Sequence, residues 1–100
     1  MSTLDFYKSV LETLEKAKPG TVKQGDSVSW NSSGGTARGK ITKIITSGEE
    51  QIPSSSFKIT GTTEDPGALI RVYSKQGDKY EPTDTIVGHK VSTLTKIEAL

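Results

Sequence analysis

The chain has 100 residues, with 13 Lys and Arg against 12 Asp and Glu, and it contains no cysteine. This length fits a single domain, and the lack of cysteine excludes disulfides, thiolate zinc sites and cysteine nucleophiles. Leu, Ile, Val and Phe make up only 22 residues, so we expect a small core and modest stability. A chain without cysteine fits a reducing compartment, and we take the cytoplasm as the expected location.

The first segment, residues 1–18, has the pattern of one amphipathic α-helix. Leu4, Tyr7, Leu11 and Leu14 fall on a single stripe at helical spacing, and a Pro-Gly pair follows the segment. So short a helix is not stable alone in water, so we expect the stripe to pack on the rest of the chain or, alternatively, on a second copy or a partner. The segment carries acidic residues and no continuous apolar run, so it predicts neither a signal peptide nor a membrane span.

After a linker at 19–24, the run Gly25–Lys43 predicts a strand, a glycine-rich turn and a second strand. Val28 and Trp30 alternate with polar residues, and the serines and glycines that follow, through Gly35, favour a turn. A β-branched run then resumes, as expected of the second strand of a hairpin. This pattern is typical of a small β-barrel.

Five or six short strands are predicted in residues 25–100. The polar stretch 47–56 predicts the most mobile loop, while Asp65-Pro66-Gly67 and Gln76-Gly77-Asp78 predict turns. Many short strands with short connections favour a mainly β barrel over an open sheet. The predicted strands lie near 26–31, 38–46, 56–62, 68–75 and 86–91, with a short return near 95–98.

The second predicted strand changes face part-way along its length. Ile41 and Ile45 share one face of a regular strand, whereas Ile44 points to the other. Small barrels use a long, strongly curved strand that belongs to both halves of the barrel. We therefore expect a bend or bulge at Ile44 and Ile45.

The segment Gly34–Lys40 spells GGTARGK, which fits the GxxxxGK part of a phosphate-binding loop. Ile41 stands where that motif needs a Ser or Thr to hold magnesium. The motif also needs a helix after it, whereas this sequence predicts a strand there. We interpret the segment as a turn and a strand, with no nucleotide site.

His89 is the only histidine, which excludes histidine pairs and His-Glu-x-x-His zinc sites. A role as general base, with Asp78 or Asp84 as its partner and Ser92 or Thr93 as nucleophile, would need an oxyanion hole and a concave pocket. A chain with so few apolar residues has little volume for such a pocket. The paired acidic residues also lack the alternating spacing of a calcium loop. We therefore expect no enzymatic activity, no metal and no cofactor.

Three aromatic residues are candidates for a binding surface: Trp30, Tyr73 and Tyr80. Two or three aromatic faces on a barrel can enclose a methylated ammonium group by cation–π attraction. Trp30 shares its face with Val28, which favours a place in the core. Tyr73 lies opposite the apolar residues of its strand, which favours exposure.

Several landmarks occur in a recognisable order: GDSVSWNSSGGTARGKITKI, then Glu64-Asp65-Pro66, then Gly88-His89-Lys90 followed by Leu94. In these residues the chain resembles the hypervirulence-associated Tudor-domain family over about residues 24–98. The resemblance implies a Tudor-like, SH3-like barrel, found in small proteins from bacteria and fungi. It does not extend to the N-terminal helix.

Tudor domains at large bind methylated lysine or arginine through an aromatic cage, so the resemblance raises that function for this chain. Only Trp30 aligns with an aromatic landmark of the family. Gly67-Ala68-Leu69 stands where we expect a tyrosine after the Asp-Pro turn, and the stretch Tyr80–Ile86 predicts a longer loop than the family has.

These observations predict a non-enzymatic interaction module that binds a protein partner through the barrel rim, where basic side chains would form a shared edge. Two alternatives stay open: a small nucleic-acid-binding barrel, and a structural subunit that self-associates through the helix of residues 1–18. The oligomeric state, monomer or helix-mediated dimer, is also open, and no membrane contact is expected. The candidate binding residues are Trp30, Arg38, Lys40, Tyr73, His89 and Lys90.

Overall fold

A computed structural model describes residues 21–100, which contain seven β-strands and one 3-10 turn, Val91–Thr93. The predicted helix of residues 1–18 and the start of the linker lie outside the described residues. The strands are β1 (Ser27–Ser32), β2 (Gly35–Ile45), β3 (Glu49–Gln51), β4 (Lys58–Thr60), β5 (Gly67–Gln76), β6 (Lys79–Lys90) and β7 (Thr95–Lys96).

Five strands form one antiparallel sheet in the order β6-β5-β2-β1-β7, and β3 and β4 pair separately. The prediction of a mainly β fold is confirmed, but the predicted barrel is not closed, because the end strands β6 and β7 do not pair with each other. The sheet curves strongly enough that Trp30 on β1 meets His89 on β6, with ring centroids 5.2 Å apart. The result is a barrel-like sheet with an open seam.

The hydrophobic core fills the concave side of this sheet, which we call the core face; the other side is the outer face. Alternate strand residues point into the core, as the period-two pattern of a strand requires. The cluster also includes apolar side chains from three places outside the strands: the linker, the 3-10 turn and the residue after that turn. The buried core residues are Val22, Val28, Trp30, Ile41, Ala68, Ile70, Val91 and Leu94.

Strand β2 bends at a bulge, where its register with β5 shifts between Ile41 and Lys43. The predicted bend is confirmed, but it lies at Thr42 rather than at Ile44 and Ile45. An extra residue at this point reverses the alternation, so Ile41 and Ile44 both pack in the core. The bulge thus accounts for the pattern of a regular strand, in which Ile41 and Ile45 would share a face, since Ile45 is buried outside the core cluster.

Strands β3 and β4 form a hairpin. The predicted strand near 56–62 is confirmed as β4, whereas β3 lies in the stretch 47–56, where the sequence predicted a loop. The hairpin lies against the outer face of β5 and β6, and glycines in those strands permit the close approach. A methyl group at Gly88 would lie 2.8 Å from Ile52 and 3.0 Å from Ile59, and one at Gly67 would lie 2.8 Å from Ile59. The predicted loop is thus a small packed element.

The predicted turn around Gly77 is confirmed, and Gly77 has the positive φ of 64° that a tight hairpin turn needs. Strand β6 begins directly after this turn, at Lys79. The prediction of a loop over Tyr80–Ile86 is wrong, because these residues form the first half of β6. The turn between β1 and β2 consists of Ser33 and Gly34, and the GGTARGK segment continues as strand β2, as the sequence predicted.

Candidate functional site

Cations and tyrosines cluster on the outer face of β2, β5 and β6. Residues two apart on a strand share a face, so Arg38 lies beside Lys40 on β2 and Arg71 beside Tyr73 on β5. The register places Arg38 opposite Tyr73 and Lys40 opposite Arg71. Tyr80 joins the group from β6, because its hydroxyl accepts a hydrogen bond from the guanidinium of Arg38 at 3.0 Å. We call these five residues the tyrosine–cation face.

Each tyrosine ring of this face carries a cation from its own chain. The guanidinium carbon of Arg38 lies 5.3 Å from the ring centroid of Tyr80, and the ammonium of Lys40 lies 5.4 Å from that of Tyr73. Both distances fit cation–π attraction. Because the rings already hold cations, the face is suited to an anionic ligand and not to a methylated ammonium group.

Lys40 and Arg71 are directly opposite each other on neighbouring strands. Like charges in this position destabilise a sheet, by up to about 1 kcal/mol. The ion pairs among residues 21–100 join Lys and Glu in the hairpin region or Lys96 and Asp26, and none of them includes a cation of the tyrosine–cation face. The repulsion is therefore left without a neutralising carboxylate in the part of the chain that the structure describes.

A bulge in β6 holds the side chain of Arg71 in place. The register passes from Arg71 opposite Ile86 to Tyr73 opposite Pro82, so β6 has extra residues at this point. Arg71 Nη1 donates a hydrogen bond to the Thr83 carbonyl at 2.9 Å. The Thr83 hydroxyl in turn donates to a β5 carbonyl, at 2.7 Å. The guanidinium is thus held towards β6 by its hydrogen bond to the Thr83 carbonyl, which reduces the entropy cost of binding a ligand there.

Acidic side chains flank one end of the tyrosine–cation face. Asp78 and Glu98 line a groove together with Arg38 and Tyr80. These carboxylates would repel a long polyanion that extended past Arg38. They therefore offset part of the positive charge at this end of the face, where Lys79 lines the same groove and Lys75 pairs with Tyr80.

Trp30 and His89 lie apart from this face, on the core face of the sheet. Trp30 is only 5% exposed and belongs to the core cluster, as the alternation with Val28 favoured. His89 is half-buried, with its ring tilted 41° against the Trp30 ring. Because Trp30 and Tyr73 point to opposite faces, they do not form an aromatic cage together.

Burial lowers the pKa of His89 below its ordinary value of 6.5. Below pH 6.5 the unfolded chain therefore binds a proton that the folded state resists, so this group favours unfolding. We expect His89 to cost the folded state no stability above about pH 6.5. The free energy of unfolding should then fall as the pH drops from there towards the lower pKa of His89 in the folded state. Urea unfolding at about pH 7.5 and about pH 5.5 measures this loss, which should be larger for the wild type than for His89→Gln. Equal losses in the two proteins would contradict it.

Lys90 also lies apart from the tyrosine–cation face. It pairs with Gly67, four residues along β5 from Arg71, and its ammonium is 3.5 Å from the Asp65 carbonyl. The packed hairpin lies against the intervening strands. The expected basic edge shared by Arg38, Lys40, His89 and Lys90 is therefore divided: the structure brings the first two together and separates both from the others.

Arg71 was not among the candidates that the sequence suggested, and Tyr80 was considered as an aromatic candidate but was not in the final set of binding residues. A signal for Arg71 was present, since it alternates with Tyr73 and stands between the apolar residues Ile70 and Val72 of its strand. Tyr80 was noticed because it is aromatic, but its contact with Arg38 depends on how β5 and β6 pair.

Residues 21–100 contain no group of three or more metal-ligating side chains that could hold an ion. The same part of the chain contains no helix long and apolar enough to cross a membrane.

A curved antiparallel sheet of five strands, with a cluster of charged and aromatic side chains on its outer face, defines a small β-rich domain. The chain belongs to the family of the Tudor domain of hypervirulence-associated proteins, whose family description matches residues 25–94. The resemblance that the sequence landmarks indicated is thereby confirmed. Searches of the curated proteins and of the solved structures gave no match. Membership of a Tudor-like family indicates a small interaction module.

Proposed function

We propose that this chain is a non-enzymatic interaction module that binds a short acidic segment of a partner protein through its tyrosine–cation face. The observation that carries this proposal is the unpaired juxtaposition of Lys40 and Arg71. Two like charges on opposite residues of a sheet, without a carboxylate between them, lower the stability of the fold. Departures from local rules of this kind are expected at functional sites.

The chemistry of the face supports a carboxylate-bearing segment. Arg71 presents a planar guanidinium that can hold a carboxylate through two parallel hydrogen bonds, and Lys40, directly opposite it in the ladder, holds its ammonium over the Tyr73 ring. Arg38 and the two tyrosine hydroxyls supply further donors within one cluster. A segment with two or three acidic residues would neutralise these cations and so remove their mutual repulsion.

Nucleic acid is the second candidate ligand, since cations interleaved with tyrosines also suit phosphates and stacked bases. Two observations favour the protein segment. The formal net charge of the chain is only +1, which gives little long-range attraction for a polyanion. Asp78 and Glu98 also flank the Arg38 end of the face, where a continuing phosphate backbone would meet their charges.

A titration with defined probes tests this proposal. The probes are a peptide of about twelve residues rich in Asp and Glu, and a single-stranded oligonucleotide of similar length. We expect the Lys40→Gln/Arg71→Gln double variant to bind the peptide at least about tenfold more weakly than the wild type, because it removes the paired cations.

The matched control is Lys43→Gln/Lys58→Gln. It changes the net charge equally, but its two lysines are already paired with Glu50 and Glu49 in the hairpin region. This variant should bind the peptide like the wild type. If both double variants bind the peptide equally weakly, the loss of net charge alone explains the effect, and the proposal is contradicted. Tighter binding of the oligonucleotide, with an affinity that falls steeply as salt rises, would favour the second candidate.

A further inference from the structure

Strand β6 is an end strand of the sheet, and its second half has an open edge. Among the described residues, β5 is the only strand that pairs with it. A groove lined by the four consecutive residues Ile86–His89 runs along the strand, with Ile52 and Phe57 on its other side. Since neighbouring residues of a strand point to opposite faces, a groove lined by all four follows the edge. We call Ile86–Lys90 the β6 edge.

The backbone groups of alternate residues on the β6 edge point away from β5. At the end of the β5–β6 ladder, the Val91 N–H donates to the Pro66 carbonyl at 2.8 Å. In an antiparallel ladder, hydrogen-bonded pairs alternate with pairs whose backbone groups point outwards. Counting back from Val91, every second residue therefore bonds to β5, and the residues between them direct their N–H and C=O groups to the open edge. Those residues are Ile86, Gly88 and Lys90, and the Lys90 carbonyl already accepts a hydrogen bond from the Thr93 hydroxyl at 2.7 Å.

We propose that the β6 edge pairs with the same edge of a second copy of this chain, in an antiparallel ladder centred on Gly88. In this register Gly88 faces Gly88 of the second copy, and Ile86 faces Lys90. These are the residues whose backbone groups point outwards, so the Gly88 pair can exchange both of its N–H···O bonds. In the Ile86–Lys90 pair, the Lys90 N–H can donate to Ile86, while the Lys90 carbonyl would accept from Ile86 with its second lone pair, since Thr93 uses the first. The edge is thus complementary to itself, as a two-fold symmetric interface requires.

The side chains fit the same register. Ile86 would lie beside the aliphatic stem of Lys90 on the outer face, and Val87 beside His89 on the core face. Like charges opposite each other would destabilise the ladder, and this register brings none together. Phe57 is 72% exposed next to this edge, and a second copy would cover part of its ring.

The other half of β6 is protected against such pairing, which limits the ladder to the β6 edge. Pro82 has no N–H to donate, and the bulge around Thr83 disrupts the regular strand. Natural proteins protect strand edges with these devices. Their absence from Ile86–Lys90 leaves this segment as the site for strand addition.

Sedimentation velocity of the full chain over a wide concentration range tests the proposal. We expect the wild type to pass from monomer to dimer as its concentration rises. Lys90→Pro should weaken this association at least tenfold, because it removes an outward N–H. The change suits the folded state, since Lys90 already has a φ of −69° and β5 does not use its N–H. Lys90→Gln is the matched control: it removes the charge, keeps the N–H and should associate like the wild type.

Amide hydrogen exchange gives a second measurement that needs no variant. The Gly88 N–H points away from β5, so it should exchange fast in dilute wild type and slowly at concentrations where the dimer forms. A wild type that stays monomeric over the whole range would overturn the proposal. So would association that survives Lys90→Pro in a folded variant, or a Gly88 exchange rate that does not change with concentration. None of these results bears on the binding of an acidic segment by Lys40 and Arg71.

Discussion

Replacing Trp30 with alanine is expected to lower the free energy of unfolding by about 4 kcal/mol, the usual cost of removing a buried aromatic ring. The ring is 5% exposed and packs in the cluster that includes Val28 and Ile70, so its loss leaves a cavity at the centre of a small core. Domains of this size have a total stability of about 5–15 kcal/mol, so the variant should be close to unfolding. Urea unfolding followed by circular dichroism measures the change.

Trp30→Phe separates the structural role of this residue from a binding role. The smaller ring should retain much of the packing, with a loss of about 1–2 kcal/mol. It should also bind the acidic peptide like the wild type, because Trp30 lies on the core face and the tyrosine–cation face is on the other side of the sheet. A stable Trp30→Ala variant with impaired peptide binding would reverse this assignment and restore Trp30 as a contact residue.

The strands that could be predicted from the sequence are those whose own residues show the alternation or the turn signals of a packed strand. Val28 and Trp30 alternate with polar residues, and the turn at Gly77 needs a positive φ that glycine supplies. The two missed strand regions lack such signals. Glu49–Gln51 is wholly polar, and the first half of β6 contains Pro82 and three acidic or threonine positions in succession. Pairing with a neighbouring strand, rather than local preference, makes these regions extended.

The candidate site was predictable only in part, for a related reason. Arg38, Lys40 and Tyr73 could be selected because each stands out on its own strand. The opposition of Lys40 and Arg71 depends on the register between β2 and β5, which a bulge at Thr42 shifts. Sequence patterns specify which face a residue takes more readily than which residue it meets across the ladder.

The packed hairpin of β3 and β4 explains why the two proposed surfaces are separate. It lies against the outer face near Gly67 and Gly88, between the tyrosine–cation face and the end of β6 at Lys90. It also contributes Phe57 to the groove along the β6 edge. A change that displaced the hairpin would therefore alter the β6 edge, while Lys40 and Arg71 would keep their places in the sheet.

Gly61→Ala tests this role of the hairpin, and we expect it to lower the free energy of unfolding by about 3 kcal/mol, because overpacking a site bounded by backbone is costly. A methyl group at Gly61 would clash with the Ile45 carbonyl oxygen and lie 2.7 Å from the Gly67 nitrogen, and neither can rotate away as a side chain can. In a domain of this size the change corresponds to a fall in Tm of about 15 °C.

Gly34→Ala is the matched control, because a methyl group there meets nothing within 4 Å and its φ is not in the left-handed region. It should change stability by no more than about 0.5 kcal/mol. If Gly61→Ala is equally mild, the strands that follow and precede the hairpin do not hold it closely. If Gly61→Ala instead destabilises the fold and also weakens association without affecting peptide binding, the hairpin supports the β6 edge. That result would connect the hairpin to self-association, and leave binding of the acidic segment to the sheet alone.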